Sequence, residues 1–292
     1  MRIYNPKEWF GILFQFHKSD TLRKLLGLIA IIAIYSGIIA YLEINYFKTH
    51  ETSPLKNFSV MHTILGMALS LLLVFRTNTA YDRWWEGRKL WGALVNNSRN
   101  LALKLTTLLD KDDEYNRDFF RKAIPMYAFV LKEHLQAEST RYMLDDADHP
   151  ELKNLDSDKH APNQVAKAII ARAVQLHKEG VISGEQLLFI NNEVSSFTDI
   201  CGACERIKNT PIPYSYSAFI KKFIFTYIMT MPIAYSFSLG YLVMLVVAIV
   251  FYVLGSLELI AEEIEDPFGK DSNDLPMEKI AGNIEKHVAE II

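Results

Sequence analysis

Cysteine is nearly absent: Cys201 and Cys204 are the only two in the chain, in the single motif CGAC. A structural zinc site takes four ligands, and no second pair or nearby histidine completes the set. Thioredoxin-like redox chemistry needs a βαβ context that the sequence does not offer. Spaced i and i+3, the two thiols share one helix face, where they are expected to pack like small apolar residues. The eight histidines form no HExxH and no i,i+4 pair, so metallohydrolase chemistry has no footing and no metal or cofactor is expected. His62 reads as a polar residue near a helix end. There is no GxSxG and no phosphate-cradling glycine loop, which leaves an enzyme without its usual parts. A net charge of −3 argues against a nucleic-acid partner. Strand alternation and internal repeats are missing too, and what remains is helical.

Charge is also missing locally. Half of the residues are hydrophobic and 22% are charged, but residues 25–42, 58–75 and 223–257 are almost charge-free. Crossing about 30 Å of hydrocarbon takes about 20 helical residues, so the first two runs fit one span each. The third is too long for one span, and Pro232 with the small, polar stretch 236–240 predicts a hairpin of helices 216–235 and 241–259. The expectation is four transmembrane helices in an all-α integral membrane protein.

Basic residues set the orientation. Lys7, Lys18, Arg23 and Lys24 precede the first span, Arg76, Arg83, Arg88 and Lys89 follow the second, and Arg206, Lys208, Lys221 and Lys222 precede the third. Between spans one and two stand only Lys48 and Lys56, against Glu43 and Glu51. Both termini and the large middle region are therefore expected in the cytoplasm. The first residues lack a secretory signal, and Trp9, Phe10, Phe14 and Phe16 predict an interfacial helix.

Between the spans, residues 86–109, 117–135, 163–177 and 184–207 carry apolar side chains at helical spacing. Joints are expected at 110–113, 145–159 and 178–183. The chain divides into 1–82 (interfacial helix and spans one and two), 83–215 (cytosolic helical bundle prolonging the membrane helices), 216–260 (spans three and four) and 261–292 (cytosolic C-terminal segment).

The second span carries the functional signal. Gly66 and Ser70 form a small-xxx-small pair that lets helices approach. One residue on, Met67, Leu71 and Phe75 recur every four positions as a stripe about 12 Å long. Around an axis of several copies, that stripe is a hydrophobic constriction that gates by dewetting. Facing lipid or a core, it is an ordinary apolar helix face. A membrane-anchored scaffold with the stripe in lipid is a competing reading. A transporter would show broken helices and midplane charges, which are not visible.

The run 64–75, RWW at 83–85, CG at 201–202, PIP at 211–213 and EDPFG at 265–269 together resemble, in order and over nearly the whole chain, the bestrophin family of ion channels. The resemblance implies a homopentamer around a central pore, with a membrane neck at Met67, Leu71 and Phe75 and a second, cytosolic constriction. Arg76 and Asp82 would then sit in a wet vestibule or pair between subunits, with Trp84 and Trp85 at the membrane interface. Counting back from Pro213 puts the second constriction at Glu185, beside Gln186, and a short gap would shift it to Leu187 or Leu188. A ring of Glu185 carboxylates would favour cations; alternatively Glu185 begins a helix after Ser183. Calcium-activated relatives carry a dense acidic run after PFG, reduced here to Asp271 and Asp274 behind Lys270, so no tight calcium site is expected. The expectation is a channel for monovalent cations, Na+ and K+, with chloride as the alternative.

Overall fold

The computed structural model describes residues 20–47, 58–136, 156 and 159–292. The interfacial helix expected around Trp9–Phe16 and most of the joint at 145–159 lie outside the described residues. Among the described residues there is no strand. The elements in chain order are α1 (Asp20–Leu42), a π-helical turn (Glu43–Phe47), α2 (Phe58–Leu108), α3 (Glu114–Leu135), α4 (Ala161–Lys178), α5 (Gly184–Asn209), α6 (Tyr214–Leu239), a 3-10 turn (Gly240–Leu242), α7 (Val243–Glu265) and α8 (Met277–Ile291).

Three of these stretches are long and apolar enough to cross a membrane: Thr21–Phe47, Phe58–Leu108 and Tyr214–Glu265. The last is broken at Gly240, whose φ of +55° is left-handed backbone that a side chain rarely adopts. That break lets α6 and α7 pack against each other, and α1 packs on both. The second span and the first charged helix are one 51-residue helix, because nothing between them interrupts the ladder. α2 contains no proline, and every i to i−4 bond can form across the change from apolar to charged sequence.

The chain gathers into two compact units. In the apolar unit, the described residues up to Asp82 join Pro211–Glu265. Its core contains Leu69 and Leu73 of α2, Ile224 and Ile228 of α6, and Val247 of α7. In the charged unit, Arg83–Thr210 joins Asp266–Ile292, so the C-terminal segment is part of the bundle rather than an appendage. Its core is built on Trp91, Leu94 and Leu101 of α2, with Phe120 and Tyr127 of α3, Ile169 of α4, Phe197 of α5 and Ile284 of α8. Tyr127 stacks on Phe197 with ring centroids 4.9 Å apart and donates its hydroxyl to the Phe197 carbonyl at 2.6 Å.

The helix ends explain the joints. Asp113 accepts from the Asn116 amide and starts α3. Ser183 starts α5 through a reciprocal capping box with Gln186. At the other end of α5, Arg83 donates to the Ile207 and Thr210 carbonyls at 2.5 Å each, satisfying acceptors that a helix end leaves open. Cys201 and Cys204 are both buried in the charged core as free thiols, and burial pushes Cys201 up to about 12. Neither is a poised nucleophile.

Candidate functional site: an apolar stripe and its ionic end

The apolar half of α2 has two faces. His62, Leu69, Leu73, Arg76 and Ala80 are buried. Met67, Leu71 and Phe75 are 73%, 56% and 55% exposed, and Val60 and Ile64 continue the same stripe. At about 100° per residue, Leu71 points about 160° away from Leu69 and Leu73, so the helix cannot bury both sets against one neighbour. A contiguous apolar stripe of this kind has to be covered by lipid or by another polypeptide.

Of the two small residues, Gly66 serves a helix approach within the chain. A Cβ on Gly66 would lie 2.6 Å from the Tyr227 hydroxyl, so Gly66 admits α6 inside the same chain. Ser70 donates its hydroxyl back to the Gly66 carbonyl at 2.8 Å. His62 also belongs to this contact, with its Nε2 2.9 Å from the Tyr227 carbonyl and its ring stacked 3.9 Å from that of Tyr227.

Phe75 is followed by a buried ion cluster, which corrects the expectation that Arg76 sits in water or pairs between subunits. Arg76 is 1% exposed; its Nη2 lies 2.6 Å from Glu265 Oε2, and its Nε lies 3.6 Å from Glu258 Oε1. Glu265 Oε1 accepts from the Ile212 amide at 2.7 Å. One carboxylate therefore ties the end of the apolar run on α2 to the PIP segment and the end of α7. Such a cluster does not itself raise stability much, but losing one member leaves a charge stranded in a dry site.

RWW and residues 266–269 of EDPFG make contacts within the charged unit. Trp84 donates its indole N–H to the Asn273 carbonyl at 3.0 Å and its ring packs on the core, while Trp85 is exposed. A Cβ on Gly87 would meet Phe268 and Pro267 at 3.2 Å. Asp274 is buried and its Oδ2 accepts from the Asp271 amide at 2.5 Å, bracing the turn between them. Asp271 and Lys270 are exposed.

At the start of α5, Glu185 is exposed and its Oε2 accepts from the Ser183 hydroxyl at 2.8 Å. The backbone amide of Glu185 itself and the Ser183 hydroxyl hold its carboxyl below the usual range. Gln186 turns back to the Ser183 amide at 2.7 Å. Both polar side chains are thus engaged in starting the helix. The apolar side chains that follow include Leu188, 70% exposed, and Phe189, over whose ring Lys104 Nζ stands at 4.0 Å.

One cluster has no linear signature. His134 of α3 and His160, the residue preceding α4, both place Nε2 2.6 Å from Glu205 Oε1 on α5. They are separated from Glu205 by 71 and 45 residues, so only the fold brings them together. Burial would raise the Glu205 carboxyl, but hydrogen bonds from His160 and His134 outweigh it and hold the group below its ordinary value.

A helical membrane protein with an apolar unit, a charged unit and one helix running through both is the class these features define. The chain belongs to the bestrophin family: the family model for bacterial and fungal bestrophin proteins matches residues 2–290. A voltage-dependent anion channel-forming protein of Nostoc sp. is 32% identical over 289 residues, covering 98% of this chain and 92% of its own. The voltage-dependent anion channel-forming protein YneE of Escherichia coli is 29% identical over 287 residues, covering 97% and 91%. A solved bacterial bestrophin homologue from Klebsiella pneumoniae superimposes with a TM-score of 0.80 at 23% identity, over 92% of this chain and 98% of its own, which establishes the shared fold.

Proposed function

We propose that this chain is one subunit of an anion-conducting membrane channel, in which copies surround an axis lined by Met67, Leu71 and Phe75. The observation that carries the reading is the exposed apolar stripe on α2, in a chain related over nearly its full length to a protein named as anion channel-forming. A ring of such stripes is a hydrophobic neck whose wetting decides conduction. The assembly is a homopentamer with four spans per subunit, α1, the first part of α2, α6 and α7. The charged unit and both termini lie on the cytoplasmic side of the inner membrane, as the excess of Lys and Arg favours.

The relatives' names favour chloride-like ions over the Na+ and K+ expected from a Glu185 ring. Glu185 stands in the first turn of α5, where an acidic side chain suits the helix dipole without any place on an axis. Leu188, far more exposed than its position in a helix core would require, is the better candidate for a cytosolic constriction, with Glu185 and Gln186 holding the helix end that presents it.

The test is the reversal potential of the purified protein in a planar bilayer under a KCl gradient. A shift toward the chloride equilibrium potential is expected. A shift toward that of potassium would keep the neck and overturn the anion assignment, and absence of any current would return the stripe to a lipid-facing role in a scaffold.

A further inference from the structure

His134, His160 and Glu205 offer donor atoms that all lie within 4.8 Å of one another, and they form the one metal-ligating cluster among the described residues. The imidazole rings stand 4.5 Å apart and tilted, with both Nε2 atoms aimed at a single carboxylate oxygen. The side chains are 29%, 32% and 29% exposed, so a hydrated ion can reach them from solvent. Three helices of the charged unit meet at this point, and none of the residues belongs to the stripe on α2.

We propose that these three residues bind a divalent transition-metal ion of the zinc type, with a water completing the coordination. Two imidazole nitrogens and one carboxylate oxygen suit such borderline ions, whereas magnesium and calcium select sites built from oxygen. In the metal-free arrangement two N–H protons occupy the space between the rings and the carboxylate. Ligands about 2.0–2.1 Å from a tetrahedral ion stand about 3.3 Å apart, so the 2.6 Å contacts must open by about 0.7 Å on loading. Part-exposed side chains near helix ends can make that adjustment. The Nδ1 of His160 accepts from the Asn163 amide at 3.2 Å, which places the ring proton on Nε2. Loading moves that proton to Nδ1 and exchanges the cap hydrogen bond for a metal bond. Neutral imidazoles make this change without losing a proton.

Such an ion would clamp the C-terminal end of α3 and the start of α4 onto α5, the helix whose first two turns carry Glu185 and Leu188. Binding itself does not depend on ion conduction, so it can fail or succeed separately from the channel reading.

The experiment uses the tag-free, full-length protein in detergent, stripped with a chelator and dialysed against buffered zinc, with bound metal counted by mass spectrometry. The expected result is one zinc per chain, no retention of magnesium, and binding weakened by about tenfold or more in both Glu205→Gln and His134→Asn. Zinc should also raise the thermal transition of the wild type and leave that of the two variants in place, a shift that serves as a second readout. Equal uptake by wild type and both variants, no uptake by the wild type, or uptake lost only in Cys201→Ser and Cys204→Ser would each overturn the site.

Discussion

Arg76 sets a guanidinium with 1% exposure between Glu265 at 2.6 Å and Glu258 at 3.6 Å. Removing the cation strands two carboxylates in a dry site, a loss of about 3–5 kcal/mol, whereas an exposed pair contributes only about 0.2–1 kcal/mol. Lys221 and Glu262, each about half exposed, are such a pair. Arg76→Ala is therefore expected to lower the thermal transition of the purified protein by several times more than Lys221→Ala does. Equal shifts would mean that water reaches Arg76 and that the cluster is not buried in the assembled protein. The same residue shows how a local reading can mislead: an arginine after an apolar run reads as the point where water begins, but its partners lie on another helix, nearly two hundred residues along the chain.

At the scale of elements, α2 is the decisive one. Its 51 residues meet a different set of neighbours in each half. The close approach of α6 is decided at Gly66, where a Cβ would come 2.6 Å from the Tyr227 hydroxyl and 3.2 Å from its ring. Replacing a helical glycine by alanine gains about 1 kcal/mol in propensity, and overfilling a packed contact costs about 1–3 kcal/mol. The second effect should win, because Tyr227 is stacked on His62 and has little room to turn. Gly66→Ala is expected to lower the thermal transition, and Tyr227→Phe in that background to recover part of the loss by removing the clashing oxygen. Additive effects of the two substitutions would show that the residues do not meet.

For the whole molecule, the exposed stripe and the polar start of α5 make separable predictions about current. Leu71→Ala and Phe75→Ala each remove bulk from the proposed neck and should raise open probability in single-channel records, because a wider apolar constriction wets more readily. Unchanged records from both would move the stripe to the lipid face. Glu185→Gln should leave the reversal potential where it is, since the proposed constriction is formed by Leu188 and the carboxylate serves the helix start beside Ser183. A marked loss of cation permeability in that variant would restore the ring reading.

Local periodicity and composition were enough to establish the all-helical class, the apolar runs, the break near Gly240, the joints at 110–113 and 178–183, and the alignment of Met67, Leu71 and Phe75 on one helix face. Each of these depends on residues within a few turns of one another, and hydrogen bonding and side-chain period act at that range. Tertiary structure alone decided that Arg76 is buried, that Gly66 receives Tyr227, that Trp84 braces Asn273, and that His134, His160 and Glu205 converge. Each of those contacts joins side chains far apart in the chain, and no spacing in the sequence encodes a distance that exists only once separate helices have packed.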